Sequence, residues 1–137
     1  MKKVIIQAEI NKPKKQVWEL FNNPEHIINW NFAHESWECP SASNDLRIRG
    51  QLKSRMQAKD GSFGFDLVGI YDEVFENESL KYHFEDGRNI EVVFDELSDN
   101  KTLVTERFDP ENENPVEFQK EGWQAILNNF KQYSESF

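Results

Sequence analysis

Residues 46–59, "LRIRGQLKSRMQAK", alternate without a break. Leu46, Ile48, Gly50, Leu52, Ser54, Met56 and Ala58 fall on one side, and Arg47, Arg49, Gln51, Lys53, Arg55, Gln57 and Lys59 on the other. In a strand, successive side chains turn to opposite faces. This stretch therefore predicts a long strand with one buried and one wet face, as antiparallel sheets have. Asp60-Gly61 supplies the residues of a tight hairpin turn. The return segment "FGFDLVGIYDEVF" sets Phe63, Phe65, Leu67, Gly69 and Tyr71 on one side. Val68, Ile70 and Val74 break its alternation and predict a bulge near Gly69. A hairpin of this length commits the chain to an antiparallel sheet.

The other segments extend that sheet. "VIIQAEI" alternates through Val4, Ile6, Ala8 and Ile10. "NKPKKQVWELF" reads as a helix with Asn11 as its cap and Pro13 in its first turn. "NNPEHIINW" repeats the signal, with Asn23 as cap and Pro24 at the first helical position, and ends near Trp30. Residues 31–45 are less regular: Trp37 fits a short strand, and "CPSASND" has the composition of a loop. "LKYHF", "NIEVVFDEL" and "TLVTERF" follow as strands, the last with Val104 and Phe108 in phase. Asn114-Pro115, with Glu117 in the third helical position, opens a final helix. On it Trp123, Ile126, Leu127, Phe130 and Phe137 recur at helical spacing. The class is α+β, and without repeats or low-complexity linkers the expectation is one domain over residues 1–137.

Charge excludes some partners. Residues 1–60 carry ten Lys and Arg against seven Asp and Glu, whereas residues 61–137 carry six against eighteen. A net charge of −9 argues against nucleic acid, which needs a basic face to displace counterions. No stretch approaches the ~18 apolar residues of a membrane span. The N-terminus lacks the apolar core of a signal peptide, and Cys39 is the lone cysteine, so a reducing, cytoplasmic setting is expected. No nucleophile motif, Gly-rich phosphate loop or zinc-ligand spacing is present. His26, His34 and His83 are scattered, and His34 with Cys39, Glu35 and Glu38 does not make a defined zinc set. No catalytic residue, cofactor or metal is assigned on this basis, and an enzyme is the less favoured reading.

Four segments in order, "VWELFNNPEHIINW", "DLRIRGQL", "DGSFGFDLVGIYDEV" and "GWQAILNNFKQYSE", resemble the SRPBCC (START-like, helix-grip) superfamily. Within it the chain is most similar to the branch of activators of the heat-shock-protein-ninety ATPase. One position departs: that branch commonly has two adjacent glycines after "DLR", and here Arg49 stands at the first, leaving Gly50. By the alternation above, Arg49 points outward. The resemblance implies a curved antiparallel sheet of about six to seven strands wrapped around the long C-terminal helix, with two short helices after the first strand. It also implies, in many members, a deep apolar cavity between helix and sheet that holds lipids, sterols, polyketides or aromatic metabolites.

In such a fold Trp123, Ile126, Leu127 and Phe130 would look toward Phe63, Phe65, Tyr71, Tyr82, Phe84 and Phe108. Met56 and Ser54 share the inward phase of their strand, and Trp30 and Trp37 flank the mouth. Tight packing can fill such a space, or leave a pocket in which the hydroxyls of Ser54, Tyr71 and Tyr82 orient a small amphipathic ligand. Both outcomes remain open at this point. The expected role is a module that binds a small hydrophobic or amphipathic ligand. One alternative is a co-chaperone-like interaction domain, whose basic row Arg47, Arg49, Lys53 and Arg55 would meet a chaperone or a second copy of the chain. Another is a polyketide cyclase-like enzyme, for which Tyr71, Tyr82 and Glu73 are the available polar groups.

Overall fold

A computed structural model describes residues 3–137. Seven strands form one sheet: β1 (Val4–Ile10), β2 (Trp37–Asn44), β3 (Gln51–Ala58), β4 (Gly64–Phe75), β5 (Ser79–Phe84), β6 (Asn89–Ser98) and β7 (Lys101–Phe108). Helices α1 (Lys14–Asn22) and α2 (Pro24–Ile27) connect β1 to β2, and α3 (Val116–Glu135) closes the chain. The spatial order is β1-β7-β6-β5-β4-β3-β2, with every neighbour antiparallel. Strands β2 to β7 thus form a meander, and β1 returns to its far edge, where Val4 lies opposite Phe108 and Ile10 opposite Thr102. The sheet curves around α3, which gives the helix-grip architecture.

Alternation decides which residues are buried. Inward positions of the central strands, including Leu80, Ile90, Val92, Phe94, Val104 and Phe108, are almost inaccessible. On α3 the same is true of Leu127 and Phe130. The Phe130 ring meets Phe21 and Trp30 edge-on, at centroid distances of 5.2 and 4.9 Å. These contacts fasten α3 to the α1–α2 segment. Along β1, Gln124 and Lys131 of α3 donate hydrogen bonds to the backbone carbonyls of Gln7 and Glu9. Aromatic contacts of this kind stabilise by about 0.5–1.5 kcal/mol each beyond their buried area.

Several local expectations need correction. The strand starts at Gln51, not Leu46, because Arg49 takes a positive φ of 70° and ends the extended run. Residues 45–50 form a turn, and Ile48 is exposed. Gly50 is confined there: a Cβ on it would lie 1.9 Å from the Asp45 carbonyl oxygen. The segment "CPSASN" is strand rather than loop. It lies at the sheet edge, and its register shifts between Glu38 and Ser41, where Pro40 lacks the N–H a central strand would need. The bulge in β4 falls between Tyr71 and Glu73 rather than at Gly69. Gly69 answers a different need, because a Cβ there would meet the Tyr82 ring at 2.8 Å.

Helix starts differ too. α1 begins after Pro13 without a side-chain cap, whereas Asn23 caps α2 by accepting from the Glu25 N–H at 3.0 Å. At α3 neither Asn114 nor Glu117 forms a capping box. Instead Gln119 binds the preceding loop: its amide donates to the carbonyls of Glu111 and Asn114 and accepts from the Glu111 N–H.

Candidate functional site

The apolar stripe of α3 divides into two parts. Leu127 and Phe130 belong to the packed core, whereas Trp123 and Ile126 border a cavity of about 190 Å3. Its floor is the sheet: Leu52, Ser54 and Met56 on β3, Phe65, Leu67 and Tyr71 on β4, Leu80 and Tyr82 on β5, and Glu106 on β7. Asn44 of β2 adds an edge. The wall is Phe21, Asn22 and Ile27 with Trp30 and Asn31. Most of this surface is apolar. The volume is smaller than the about 300–1,000 Å3 of drug-sized pockets, so the space suits a ring or two.

Of the residues singled out by sequence, Trp30, Ser54, Met56, Phe65, Tyr71, Tyr82, Trp123 and Ile126 meet around this cavity. Trp37, Phe63, Phe84, Phe108, Leu127 and Phe130 lie outside its lining. Phe84 and Phe108 instead pack behind Trp123, whose indole stacks on Phe108 with centroids 3.9 Å apart and planes 11° from parallel. Phe63 is 61% exposed just before β4 begins. It joins Trp37 and Phe65 in a surface aromatic trio with centroids about 6 Å apart, and Phe65 carries that trio to the cavity rim.

The polar groups form a chain on one side. The Tyr71 hydroxyl donates to Asn44 Oδ1 at 2.6 Å, Asn44 Nδ2 donates to the Asn22 carbonyl at 2.9 Å, and Asn22 Nδ2 donates to the Trp18 carbonyl at 3.0 Å. Trp30 is fixed by its indole N–H donating to the Leu20 carbonyl. Burial pushes the Tyr71 phenol well above its ordinary range, although the bond to Asn44 works against the rise. Burial also raises Tyr82, and the nearby Glu106 and Tyr71 add to the effect. Beside the cavity, burial pushes the Cys39 thiol up, opposed by hydrogen bonds with Ser54 and the Ser41 carbonyl.

Glu106 differs from all of these. It is 8% exposed and faces the cavity, and its register partners are Ile6 on β1 and Val92 on β6, both deeply buried and apolar. No hydrogen bond or ion pair reaches its carboxyl from any described residue. Burial alone pushes its pKa up to about 8. The sequence carried the signal: Glu106 lies between Val104 and Phe108 in the same inward phase. Glu73, the carboxylate that sequence reasoning favoured, instead pairs with Lys81 at 3.2 Å on the outer face.

The basic row is partly neutralised. Lys53 and Arg55 lie 3.9 and 3.5 Å from Asp66 across the hairpin, and Arg47 pairs with Asp45 at 2.9 Å. Such exposed pairs contribute about 0–1 kcal/mol each. No helix among the described residues is long and apolar enough to cross a membrane.

Residues 11–135 match the family described as activator of Hsp90 ATPase homolog 1-like protein. The chain belongs to this family. It is similar to the AHSA1-like protein from Aeromonas hydrophila, solved by NMR, with 37% identity and a TM-score of 0.91 over 98% of this chain and 92% of that one. A solution structure from Cytophaga hutchinsonii is 42% identical, with a TM-score of 0.84 over the same shares. A crystal structure from Chromobacterium violaceum, 20% identical, shares the fold, with a TM-score of 0.85 over 98% and 99% of the two chains. No curated protein matches the chain. The family membership agrees with the helix-grip architecture and with a binding or co-chaperone-like domain in general.

Proposed function

We propose that this chain is a single-domain binding protein for a small amphipathic molecule held between α3 and the sheet. The observation that carries the reading is the cavity of about 190 Å3, apolar over most of its surface, with a few polar groups in its lining, Asn44, Tyr71 and Glu106 among them. A pocket of that kind takes up an apolar body and fixes its orientation through a few polar contacts. The rings of Trp37, Phe63 and Phe65 provide an apolar approach to it. A cytoplasmic setting suits a lone thiol that is buried and free.

The test is a melting-temperature and tryptophan-fluorescence screen of small aromatic and short-chain compounds. A ligand at a hundredfold excess over its Kd stabilises the folded state by about 2.7 kcal/mol. Ile126→Phe places a larger side chain in the cavity. It should abolish the response while the protein still unfolds cooperatively. A response that survives this substitution would place binding elsewhere.

A second reading rests on the family description, that of an activator of the Hsp90 ATPase. Here the exposed Arg49 and its neighbours Arg47, Lys53 and Arg55 would meet an acidic chaperone surface. Purified Hsp90 whose ATPase rate does not change on adding this protein would remove that reading.

A further inference from the structure

Among the described residues Glu106 has no hydrogen-bond or ion-pair partner. A buried carboxyl ordinarily pairs with a cation or collects hydrogen bonds, because an isolated charge in an apolar site is costly. Glu106 does neither among the described residues. Neither neighbouring strand offers a partner, since its opposites are Ile6 and Val92. From β4 and β5 the titratable groups facing the cavity are the phenols of Tyr71 and Tyr82, and α3 contributes Trp123 and Ile126. Among the described residues no Lys, Arg or His lines the cavity. A ligand can supply the positive charge that the described residues around Glu106 do not.

The rest of the lining favours the same sign. The rings of Phe21, Trp30, Tyr82 and Trp123 surround the space, and an aromatic face attracts cations through its quadrupole. A carboxylate-bearing ligand would meet Glu106 with no cation to offset it. A neutral ligand would use one hydrogen bond and leave the charge complementarity unused. The chain's net charge of −9 also draws cations toward it.

We propose that the cavity takes a small protonated amine, its ammonium group paired with the Glu106 carboxylate and its apolar body against Trp123 and Tyr82. The proposal rests on the binding reading above and names its ligand class. In the empty protein Glu106 holds its proton up to about pH 8. Binding of the cation then releases that proton to solvent: the neutral acid and the ammonium ion give the ion pair and one free proton. Affinity should rise about tenfold per pH unit from pH 6 to 8, then level off until the amine itself deprotonates near 10.

The experiment is calorimetric titration of the protein with 2-phenylethylamine, 2-phenylethanol and phenylacetate at pH 6, 7 and 8. The same series is run on Glu106→Gln after its melting temperature confirms folding. Expected is an amine that binds at least tenfold more tightly than the alcohol at pH 8 and weakens at each lower pH. Phenylacetate should be the weakest of the three. Glu106→Gln should erase both the amine preference and the pH slope. An alcohol that equals the amine at every pH would overturn the amine assignment while the cavity keeps its binding role. So would a preference that survives Glu106→Gln. If none of the three binds the unmodified protein, the amine proposal and the cavity reading fall together for molecules of this size.

Discussion

Replacing Glu106 by Gln should change the pH dependence of stability more than any other single substitution in this protein. Gln keeps the shape and removes the ionisation. A glutamic acid in the unfolded chain titrates near 4.5, and in the folded protein burial moves it to about 8. Because the folded-state value is raised, the native protein holds a proton that the unfolded chain gives up. Stability is fully present below about pH 4.5 and is lost progressively as pH rises to about 8. The gap of about 3.5 pH units, at about 1.4 kcal/mol each, makes the full loss about 5 kcal/mol. By pH 7 the loss is about 3 kcal/mol. Urea unfolding of both proteins at pH 5, 6.5 and 8.5 measures it. The advantage of Glu106→Gln over the parent should grow by about 4 kcal/mol between pH 5 and pH 8.5, a midpoint change of about 2 M urea. Any fixed cost of burying the Gln amide drops out, because it does not vary with pH. A difference that stays constant within about 1 kcal/mol would mean that the carboxyl is solvated or paired in solution, and the argument for an unpartnered buried acid would fail.

Other consequences of the packing can be checked by denaturation. Gly69→Ala should cost about 1–3 kcal/mol, because its new methyl group meets the Tyr82 ring at 2.8 Å. It should also weaken whatever binding the cavity supports, since Tyr82 must move into that space. Arg49→Gly should be neutral or stabilise by up to about 1 kcal/mol, by removing a side chain from a left-handed backbone position. Gly50→Ala, one residue on, should prevent stable folding as judged by loss of the cooperative transition, since its Cβ meets a backbone oxygen that cannot yield. Phe130→Ala should cost about 3–5 kcal/mol. Trp123→Ala should cost less, because its indole is only partly buried and borders the cavity as well as the core.

The meander was readable because β3 to β7 have one buried and one wet face, so the pleat is written into the composition. The two edges were less readable. β2 contains Pro40 and three small polar residues that elsewhere spell a turn, and only its place at the sheet edge makes them acceptable in a strand. The alternation at Leu46–Gly50 ran on into a turn because polar and apolar residues also alternate there. Nothing in that pattern reports a positive φ at Arg49. For the site, phase put Phe63 and Phe65 on one face, but only Phe65 lies in β4 and borders the cavity. Both stand at the hairpin end of the strand pair, where the packed helix leaves them 61% and 40% exposed. Glu106 was legible by phase and was overlooked because a charged residue is ordinarily assigned to solvent.

The pairing of β1 with β7 joins residue 4 to residue 108. Closing so long a loop is entropically costly and delays the contact relative to the local hairpins of the meander. During synthesis at about 5–20 residues per second, the first strand must wait several seconds for its partner to exist. Glu106 acquires its Ile6 neighbour only in that closing step. A chain that has paired β2 to β7 can therefore hold most of its sheet before Ile6 covers Glu106, so the floor of the cavity is completed by a long-range contact and not by a local hairpin.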